Sequence, residues 1–328
     1  MKKNHAFIDM IKNNIGILAG LLILCVGLSL LTDKFATTTN FFNIVKQITI
    51  NLYLACGMTF VILLGGIDLS VGSVIAVAGC VSAGMATWNN IPVPIAILIG
   101  IVCGMVIACI NGLIVSKTTI PAFITTLATM NIGRGVARVY TNNQTISVLQ
   151  PSYTFLGTGK IFNIPVQLFM IIIIIALCSF ILNRTKLGKH IYAVGGNKTA
   201  AEYSGINTKK VTFFVFAFSG LLAAIAGILT CGRTFSATIQ MGQSAEMDAI
   251  AAVVLGGTSM SGGKGRISGT VIGVLIIGVL NNGMNLLGID SSWQYIVQGI
   301  VILIAVYIDF IRSGGSLGFL KKLGKKAV

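Results

Sequence analysis

Residues 164–182 read IPVQLFMIIIIIALCSFIL, an apolar run without a single charged residue. A helix that crosses the roughly 30 Å hydrocarbon core of a bilayer needs about 20 such residues. Its backbone polar groups must also bond within the helix, because the lipid offers them no partner. The run therefore predicts a membrane-spanning helix.

Similar apolar runs recur along the whole chain and predict ten spans. Their approximate bounds are 15–31, 44–65, 71–88, 92–115, 121–140, 164–182, 211–231, 247–255, 268–287 and 293–310. The first run resembles the apolar region of a secretory signal peptide, but Leu30-Leu31-Thr32-Asp33 is a poor cleavage site, so we expect a retained helix. The eighth run is short and predicts a short helix or a re-entrant segment that begins near Glu246.

The composition excludes an ordinary soluble protein. Of 328 residues, 55% are hydrophobic and 9% are charged, and the mean hydropathy is +0.92. Soluble domains carry about 25% charged residues. The sequence thus predicts an all-α, polytopic membrane protein with about ten transmembrane helices, forming a single domain over residues 1–328.

The formal charge of +15 would suggest nucleic-acid binding in a soluble protein. Here most basic residues crowd into short polar stretches that a ten-span topology places on one side, as the positive-inside rule requires. This pattern predicts that both termini are cytoplasmic. Without the eighth span, Lys264 and Arg266 would lie on the opposite side of the membrane from the basic C-terminal residues. The positive-inside rule therefore also favours this short span. We expect no nucleic-acid partner.

Two glycine-rich stretches share the pattern LGGxxxSxG, at residues 64–72 and 255–263. Both lie at predicted cytoplasmic turns, where glycine allows a tight reversal and Ser or Asp can cap the next helix. They are either simple helix turns or broken helices that line a pathway. The residues of interest are Gly65, Gly66, Asp68, Ser70, Gly256, Gly257, Gly262 and Gly263.

Residues 257–265 do not form a phosphate-binding loop. The pattern GxxxxGK[ST] needs Gly at Thr258 and Ser or Thr at Gly265. Nor do the seven cysteines and two histidines show ligand spacing, so we expect no metal, cofactor or catalytic site. Energy for any active transport must come from an ion gradient or from another subunit.

The long inner loop, residues 183–210, reads NRTKLGKHIYAVGGNKTAAEYSGINTKK. Thr199 is positioned to cap a short helix that ends at Gly205. The loop also carries the apolar residues Ile191, Tyr192, Val194 and Tyr203, which we expect to be exposed. Such a segment fits a cleft in a peripheral protein, although a basic loop can equally lie flat on anionic lipid.

Polar residues inside spans are costly unless they find partners. Candidate pathway residues are Asn51, Asn111, Asn131, Asn281, Asn282 and Asn285. Their amides can bind the hydroxyls of a sugar, but they can equally hold helices together. Arg134 and Arg138 lie one turn apart and should face the bundle interior or extend to the membrane surface. The acidic residues Asp68, Glu246, Asp248, Asp290 and Asp309 fall near span ends, so we expect no buried carboxylate.

Four motifs together resemble the permease subunits of ribose-type ABC sugar importers, within the group that includes branched-chain amino-acid permeases. These are GMTFVILLGGIDLSVGS (57–73), RTKLGKHIYAVGGNKTAAEYSGIN (184–207), EMDAIAAVVLGGTSMSGGKGRISGT (246–270) and LNNGMNLLG (280–288). The resemblance covers roughly residues 41–310. It implies a fold like that of type II ABC importer permeases and a transport subunit that is not itself an enzyme.

The resemblance also implies partners: a second permease copy, an ATPase with two nucleotide-binding halves, and a periplasmic or extracellular sugar-binding protein. The segment that contacts the ATPase is implied to be Lys198, Thr199, Ala200, Ala201, Glu202, Tyr203, Ser204 and Gly205, which is similar to the EAAxxxG pattern of ABC permeases. Thr199 stands where that pattern has Glu.

The implied function is inward transport of a monosaccharide across the bacterial cytoplasmic membrane by alternating access. Ribose is favoured, while xylose, galactose, inositol and furanosyl signalling molecules such as autoinducer-2 stay open. An ion-coupled secondary transporter is the main alternative, and the absence of an embedded carboxylate counts against it. An accessory membrane protein is a third possibility.

Overall fold

The computed structural model describes residues 2–312, so the C-terminal basic residues Lys321, Lys322, Lys325 and Lys326 lie outside it. The described chain is mostly helical. Its helices are α1 (Lys2–Leu31), α2 (Thr38–Leu63), α3 (Val71–Thr87), α4 (Val93–Lys117), α5 (Ala122–Thr141), α6 (Pro151–Thr158), α7 (Val166–Arg184), α8 (Lys186–Gly196), α9 (Lys198–Tyr203), α10 (Thr208–Thr234), α11 (Ala245–Leu255), α12 (Ile267–Leu286) and α13 (Ser291–Arg312). Its strands are β1 (Ile146–Ser147), β2 (Lys160–Ile161), β3 (Ile164–Pro165) and β4 (Ser236–Ala237).

All ten predicted spans coincide with helices. Within residues 2–312, six helices are long and apolar enough to cross a membrane, namely α2, α4, α7, α10, α12 and the apolar part of α13. Two further apolar stretches, residues 16–31 of α1 and the whole of α3, are shorter. The weak eighth span is α11, which begins one residue before Glu246 and has only 11 residues. The prediction of an all-α polytopic fold is confirmed.

Helix α10 forms the centre of the bundle and packs against α2, α3 and α4. Close approach to α4 depends on small residues, since a Cβ at Gly220 of α10 would overlap the Cβ of Ala108. On α4 the buried residues recur at four-residue spacing, from Ala96 through Gly100 and Gly104 to Ala108. The rest of α4 exposes large apolar side chains such as Leu98, as a lipid-facing helix should.

The two ends of the bundle are structurally distinct. One end, here called the α9 end, gathers Gly65, Ala122, Val194 and Lys198 around one concavity. The opposite end carries the strands, where β1 pairs antiparallel with β4 through Ile146 and Ala237, and β2 pairs with β3. The β1–β4 pair ties the segment after α5 to the segment after α10.

Helix α3 begins part-way across the bundle rather than at its α9 end. After α2 ends at Leu63, the connecting chain runs inward, and the Leu69 backbone N–H donates to Thr126 Oγ1 at 3.1 Å. The first turn of α3 lies beside Gly133, where an added Cβ would be 2.7 Å from Ser73 Oγ. Since Thr126 and Gly133 come four and 11 residues after the start of α5, α3 starts between about 6 and 16 Å into the bundle. The first glycine-rich stretch is therefore a re-entrant break between two helices.

Candidate functional site

The inner loop is mostly helical. Helix α9 begins after Asn197, whose side-chain oxygen accepts a hydrogen bond from the Ala200 backbone N–H at 2.9 Å. The predicted cap at Thr199 was wrong, because Asn197 is an equally good capping residue and lies two positions earlier. The predicted end is correct: Gly205 adopts a φ of +80° just after the helix.

The apolar side chains of this segment are divided between the interior and the surface. Ile191 and Val194 of α8 are buried against the core, so the expectation that they are exposed was wrong. Ala201 of α9 is also buried. Tyr203, by contrast, is 90% exposed, which is unusual for an aromatic side chain on a six-residue helix. Glu202 Oε1 accepts a 2.7 Å hydrogen bond from Thr208 Oγ1, which holds this side chain against the start of α10.

Both glycine-rich stretches meet the end of α8 at one contact, here called the glycine junction. The Gly263 backbone N–H donates to the Leu63 carbonyl oxygen at 2.9 Å. An added Cβ at Gly262 would be 2.8 Å from Gly195 O and 2.9 Å from Gly65 N. A Cβ at Gly195 would overlap Leu63 O. Only glycine fits, and at Gly65 and Gly262 φ is +76° and +84°, which other residues rarely adopt.

Tyr192 reinforces the junction from α8. Its hydroxyl donates to the carbonyl oxygen of Gly265 at 2.9 Å. Burial raises the pKa of the Tyr192 phenol, with a smaller opposing effect of Arg266, so the hydroxyl keeps the proton that it donates. Helix α8 is thus fastened to the second glycine-rich stretch by a side chain as well as by backbone contact.

The re-entrant break is held by a buried chain of hydrogen bonds. Asp68 Oδ1 accepts from the backbone N–H and hydroxyl of Ser70, at 2.9 and 2.6 Å. Asn111 Nδ2 donates to Ser70 Oγ at 2.8 Å, and Thr129 Oγ1 donates to Asn111 Oδ1 at 2.7 Å. These hydrogen bonds join the start of α3 to α4 and α5. The Asn111 amide donates through its nitrogen and accepts through its oxygen.

The other candidate asparagines lie in different environments. On α12, Asn282 forms a reciprocal pair with Asn40 at 2.9 and 3.0 Å. Asn281 donates to Asp248 Oδ2 at 3.4 Å, and the exposed Asn285 accepts from Gln294 Nε2. Asn51 is half-buried on α2. The structure therefore does not bring the six asparagines together in one site, and their pathway role stays a prediction.

A polar cavity of about 480 Å³ lies between α5 and the segment 239–246. Its lining residues are Met130, Asn131, Arg134, Gly135, Arg138, Ile239, Gln240, Gln243, Ser244 and Glu246. Arg134 fixes the two walls, because its Nη1 donates to the carbonyl oxygens of Ile239 and Met241 at 2.8 and 2.7 Å. Arg134 and Arg138 thus face a concavity of the protein.

The expectation that no carboxylate is buried was wrong. Asp68 and Glu246 do lie at helix ends, but these ends are inside the bundle, since α3 and α11 both begin there. Glu246 Oε2 is buried without a hydrogen-bond partner among residues 2–312. It lies against Gly72, in the first turn of α3, where a Cβ would overlap it. The positive end of the helix dipole and the nearby Arg134 offset its charge.

Gln240, Gln243 and Ser244 were missed in the sequence. The signal was present, because residues 236–248 carry several polar side chains between two apolar runs. Hydropathy assigns such a stretch to an external loop, whereas the structure folds it back against α5. Among the described residues, no three of His, Cys, Asp and Glu cluster as they would to hold a metal ion.

Comparison with known proteins decides the family. The profile of the family described as "Branched-chain amino acid transport system / permease component" matches residues 40–306. The chain belongs to this family.

Named members of the permease family match nearly the whole chain. The ribose import permease protein RbsC of Bacillus subtilis is 46% identical, over 93% of this chain and 95% of its own length. RbsC of Escherichia coli K12 is 44% identical, over 89% and 92%. The xylose transport system permease protein XylH of Haemophilus influenzae is 33% identical, over 86% and 92%. No solved structure matches.

The expected resemblance to ribose-type ABC permeases is confirmed. Members of the permease family are transport components, which indicates a multi-pass membrane transport subunit rather than an enzyme. This family membership, and not the absence of a buried carboxylate, is the argument against an ion-coupled transporter.

Proposed function

We propose that this chain is the membrane-spanning subunit of an ATP-driven importer that moves D-ribose inward. The observation that carries the proposal is the gap in identity between relatives. Ribose permeases are 44–46% identical over at least 88% of this chain. Permeases named for xylose, D-allose and L-arabinose are only 33–37% identical over a similar length.

The α9 end is proposed to face the cytoplasm and to dock an ATPase with two nucleotide-binding halves. Support comes from the shape of α9, which presents Tyr203 to solvent while the buried Ala201 anchors the helix. An exposed aromatic residue on a fixed, small-residue helix suits the cleft of a partner protein. The docking segment proposed is residues 198–205.

The glycine junction supports a mechanism of alternating access. Helix α8 ends at the junction and leads within two residues into α9. A displacement of α9 by the ATPase would therefore reach the breaks before α3 and after α11 through backbone contacts. Packed elements of this kind move as bodies rather than deform, so the two broken helices would shift together and switch the pathway.

The remaining partners follow from the same proposal. A second copy of the chain would cover the exposed face of α5, which carries Asn131 and Arg138 and cannot face lipid cheaply. A sugar-binding protein would deliver ribose at the strand end of the bundle. The location proposed is the bacterial cytoplasmic membrane, with both termini inside.

ATP hydrolysis by the assembled complex tests the proposal. The chain and its ATPase, reconstituted in nanodiscs, should hydrolyse ATP faster when ribose-loaded binding protein is added. Binding protein loaded with xylose or galactose should stimulate less. Equal stimulation by all three sugars would contradict ribose specificity, and a failure of the ATPase to associate with the chain would contradict the proposed function.

A further inference from the structure

The structure points to a transient sugar site within the permease itself, and we propose that the cavity between α5 and residues 239–246 binds the hydroxyls of a neutral pentose during translocation. The inference rests on the proposed function, since it names where the transported sugar pauses. The groups that would contact the sugar are Arg138, Gln240 and Gln243.

The position of the cavity favours water or a polar solute in it. Asn131, Arg134 and Arg138 follow one another at three- and four-residue spacing on α5, so they share one face of that helix. Hydrocarbon does not solvate two guanidinium groups, and ionisable residues in membrane helices face a water-filled cavity or a partner. The face of α5 around these residues is exposed in the single chain, so a polar path would run between this face and the second copy proposed above.

The walls of the cavity are fixed before any ligand enters. Arg134 is committed to the carbonyl oxygens of Ile239 and Met241, which ties the segment 239–246 to α5. Gly242 also adopts a φ of +67° and packs close to Ile75 of α3. A fixed site loses little entropy on binding. Its volume, about 480 Å³, lies in the range of roughly 300–1,000 Å³ that is usual for small-molecule sites.

The chemistry of the lining suits a neutral polyol. Gln240 and Gln243 expose amides that can both donate and accept, as a sugar hydroxyl does. Met130 and Ile239 add apolar surface for the C–H face of a sugar ring. Glu246 offsets Arg134, which leaves Arg138 as an excess positive charge that repels protons and metal cations. Sugar would thus pass while cations are excluded.

Two variants test the site: the double substitution Gln240→Ala with Gln243→Ala, and the single substitution Arg138→Gln. Each is reconstituted with the ATPase and the binding protein, and labelled ribose uptake is measured beside ATP hydrolysis. We expect ribose moved per ATP to fall about tenfold while binding-protein-stimulated hydrolysis continues. The control Gln144→Ala, an exposed glutamine in the loop after α5, should leave the ratio unchanged.

The outcomes separate this inference from the proposed function. If the parent complex takes up ribose and both variants move as much ribose per ATP as the parent, the proposed sugar site is refuted and the proposed function stands. If the parent takes up no ribose, the proposed function fails first. Uptake of a phosphorylated pentose in preference to ribose would also overturn the neutral-sugar assignment.

A labelling experiment covers the case in which a variant fails to assemble. Gln243→Cys in native membranes should react with a water-soluble methanethiosulfonate reagent, with the parent chain as background, because its own cysteines lie in apolar helices. Ribose-loaded binding protein with ATP should slow the reaction. Absence of labelling would mean that the cavity is dry and would refute the site.

Discussion

The backbone N–H of Gly263 donates a 2.9 Å hydrogen bond to the carbonyl oxygen of Leu63, across 200 residues of sequence. This bond joins the end of α2 to the turn between α11 and α12. Gly195, at the end of α8, lies against the same carbonyl. The two glycine-rich breaks and the helix that leads into the proposed docking segment therefore share one backbone contact.

Gly195→Ala should impair ribose transport. Its Cβ would overlap Leu63 O and lie 2.8 Å from Gly263 N, and all of these atoms belong to the backbone. The junction must open, so we expect ribose uptake to fall at least tenfold. Uptake into proteoliposomes measures the effect. Gly196→Ala is the matched control, because a Cβ at Gly196 meets no atom within 4 Å. Equal uptake by the two variants would refute the role of the junction.

Tyr203→Ala should weaken docking of the ATPase without destabilising the permease. Tyr203 is 90% exposed, so its removal costs the free chain little packing energy. Truncation of an aromatic hot-spot residue costs about 2 kcal/mol or more, which corresponds to roughly a 30-fold loss of affinity. Light scattering of the permease and the ATPase mixed in detergent measures this affinity.

Leu149→Ala, an exposed apolar residue near the strands, controls for the loss of exposed apolar surface. It should bind the ATPase normally. Unchanged affinity of the Tyr203→Ala variant would contradict the proposed docking face, and would favour the alternative in which this segment lies on lipid.

Asn111→Ala should lower stability more than it affects transport specificity. The substitution leaves Ser70 and Thr129 without their buried partner, at a cost of about 1–3 kcal/mol. Thermal unfolding of the purified permease, followed by tryptophan fluorescence, should show a lower midpoint. Asn131→Ala, at an exposed position on α5, should keep the midpoint and reduce uptake. A lower midpoint for Asn131→Ala, with a normal midpoint and reduced uptake for Asn111→Ala, would contradict this assignment of roles.

Gly72→Ala should displace one wall of the proposed sugar cavity. Its Cβ would overlap Glu246 Oε2 and Gly242 O and lie 3.3 Å from Arg134 Nη2. The wall that Arg134 holds must then move, so we expect lower ribose uptake with assembly of the complex preserved. Gly299→Ala, on α13 and away from the cavity, meets no atom within 4 Å and serves as the control. Normal uptake by the Gly72 variant would argue against a fixed cavity wall.

Local signals were sufficient to predict the long apolar helices, but not α6 or α8. Hydropathy located helices at all ten predicted runs, and the basic residues indicated the short helix α11 even though its run is brief. The glycine-rich stretches were found from their repeat, but their mutual contact was not, because nothing local relates Leu63 to Gly263. The cap of α9 was misplaced since Asn197 and Thr199 have similar capping propensity, and only the fold selects between them.

The largest error came from treating span ends as membrane surfaces. Asp68 and Glu246 lie at helix ends that are inside the bundle, because α3 and α11 begin part-way across it. The same re-entrant geometry hid Gln240 and Gln243. Such geometry depends on long-range packing, which periodicity and composition do not encode.

Uptake of labelled ribose into proteoliposomes that carry this chain, its ATPase and its binding protein is the most direct test of the central claim. The proposed function predicts accumulation of ribose that requires ATP on the ATPase side and persists when all ion gradients are collapsed. Accumulation that needs an ion gradient and proceeds without ATP would contradict it.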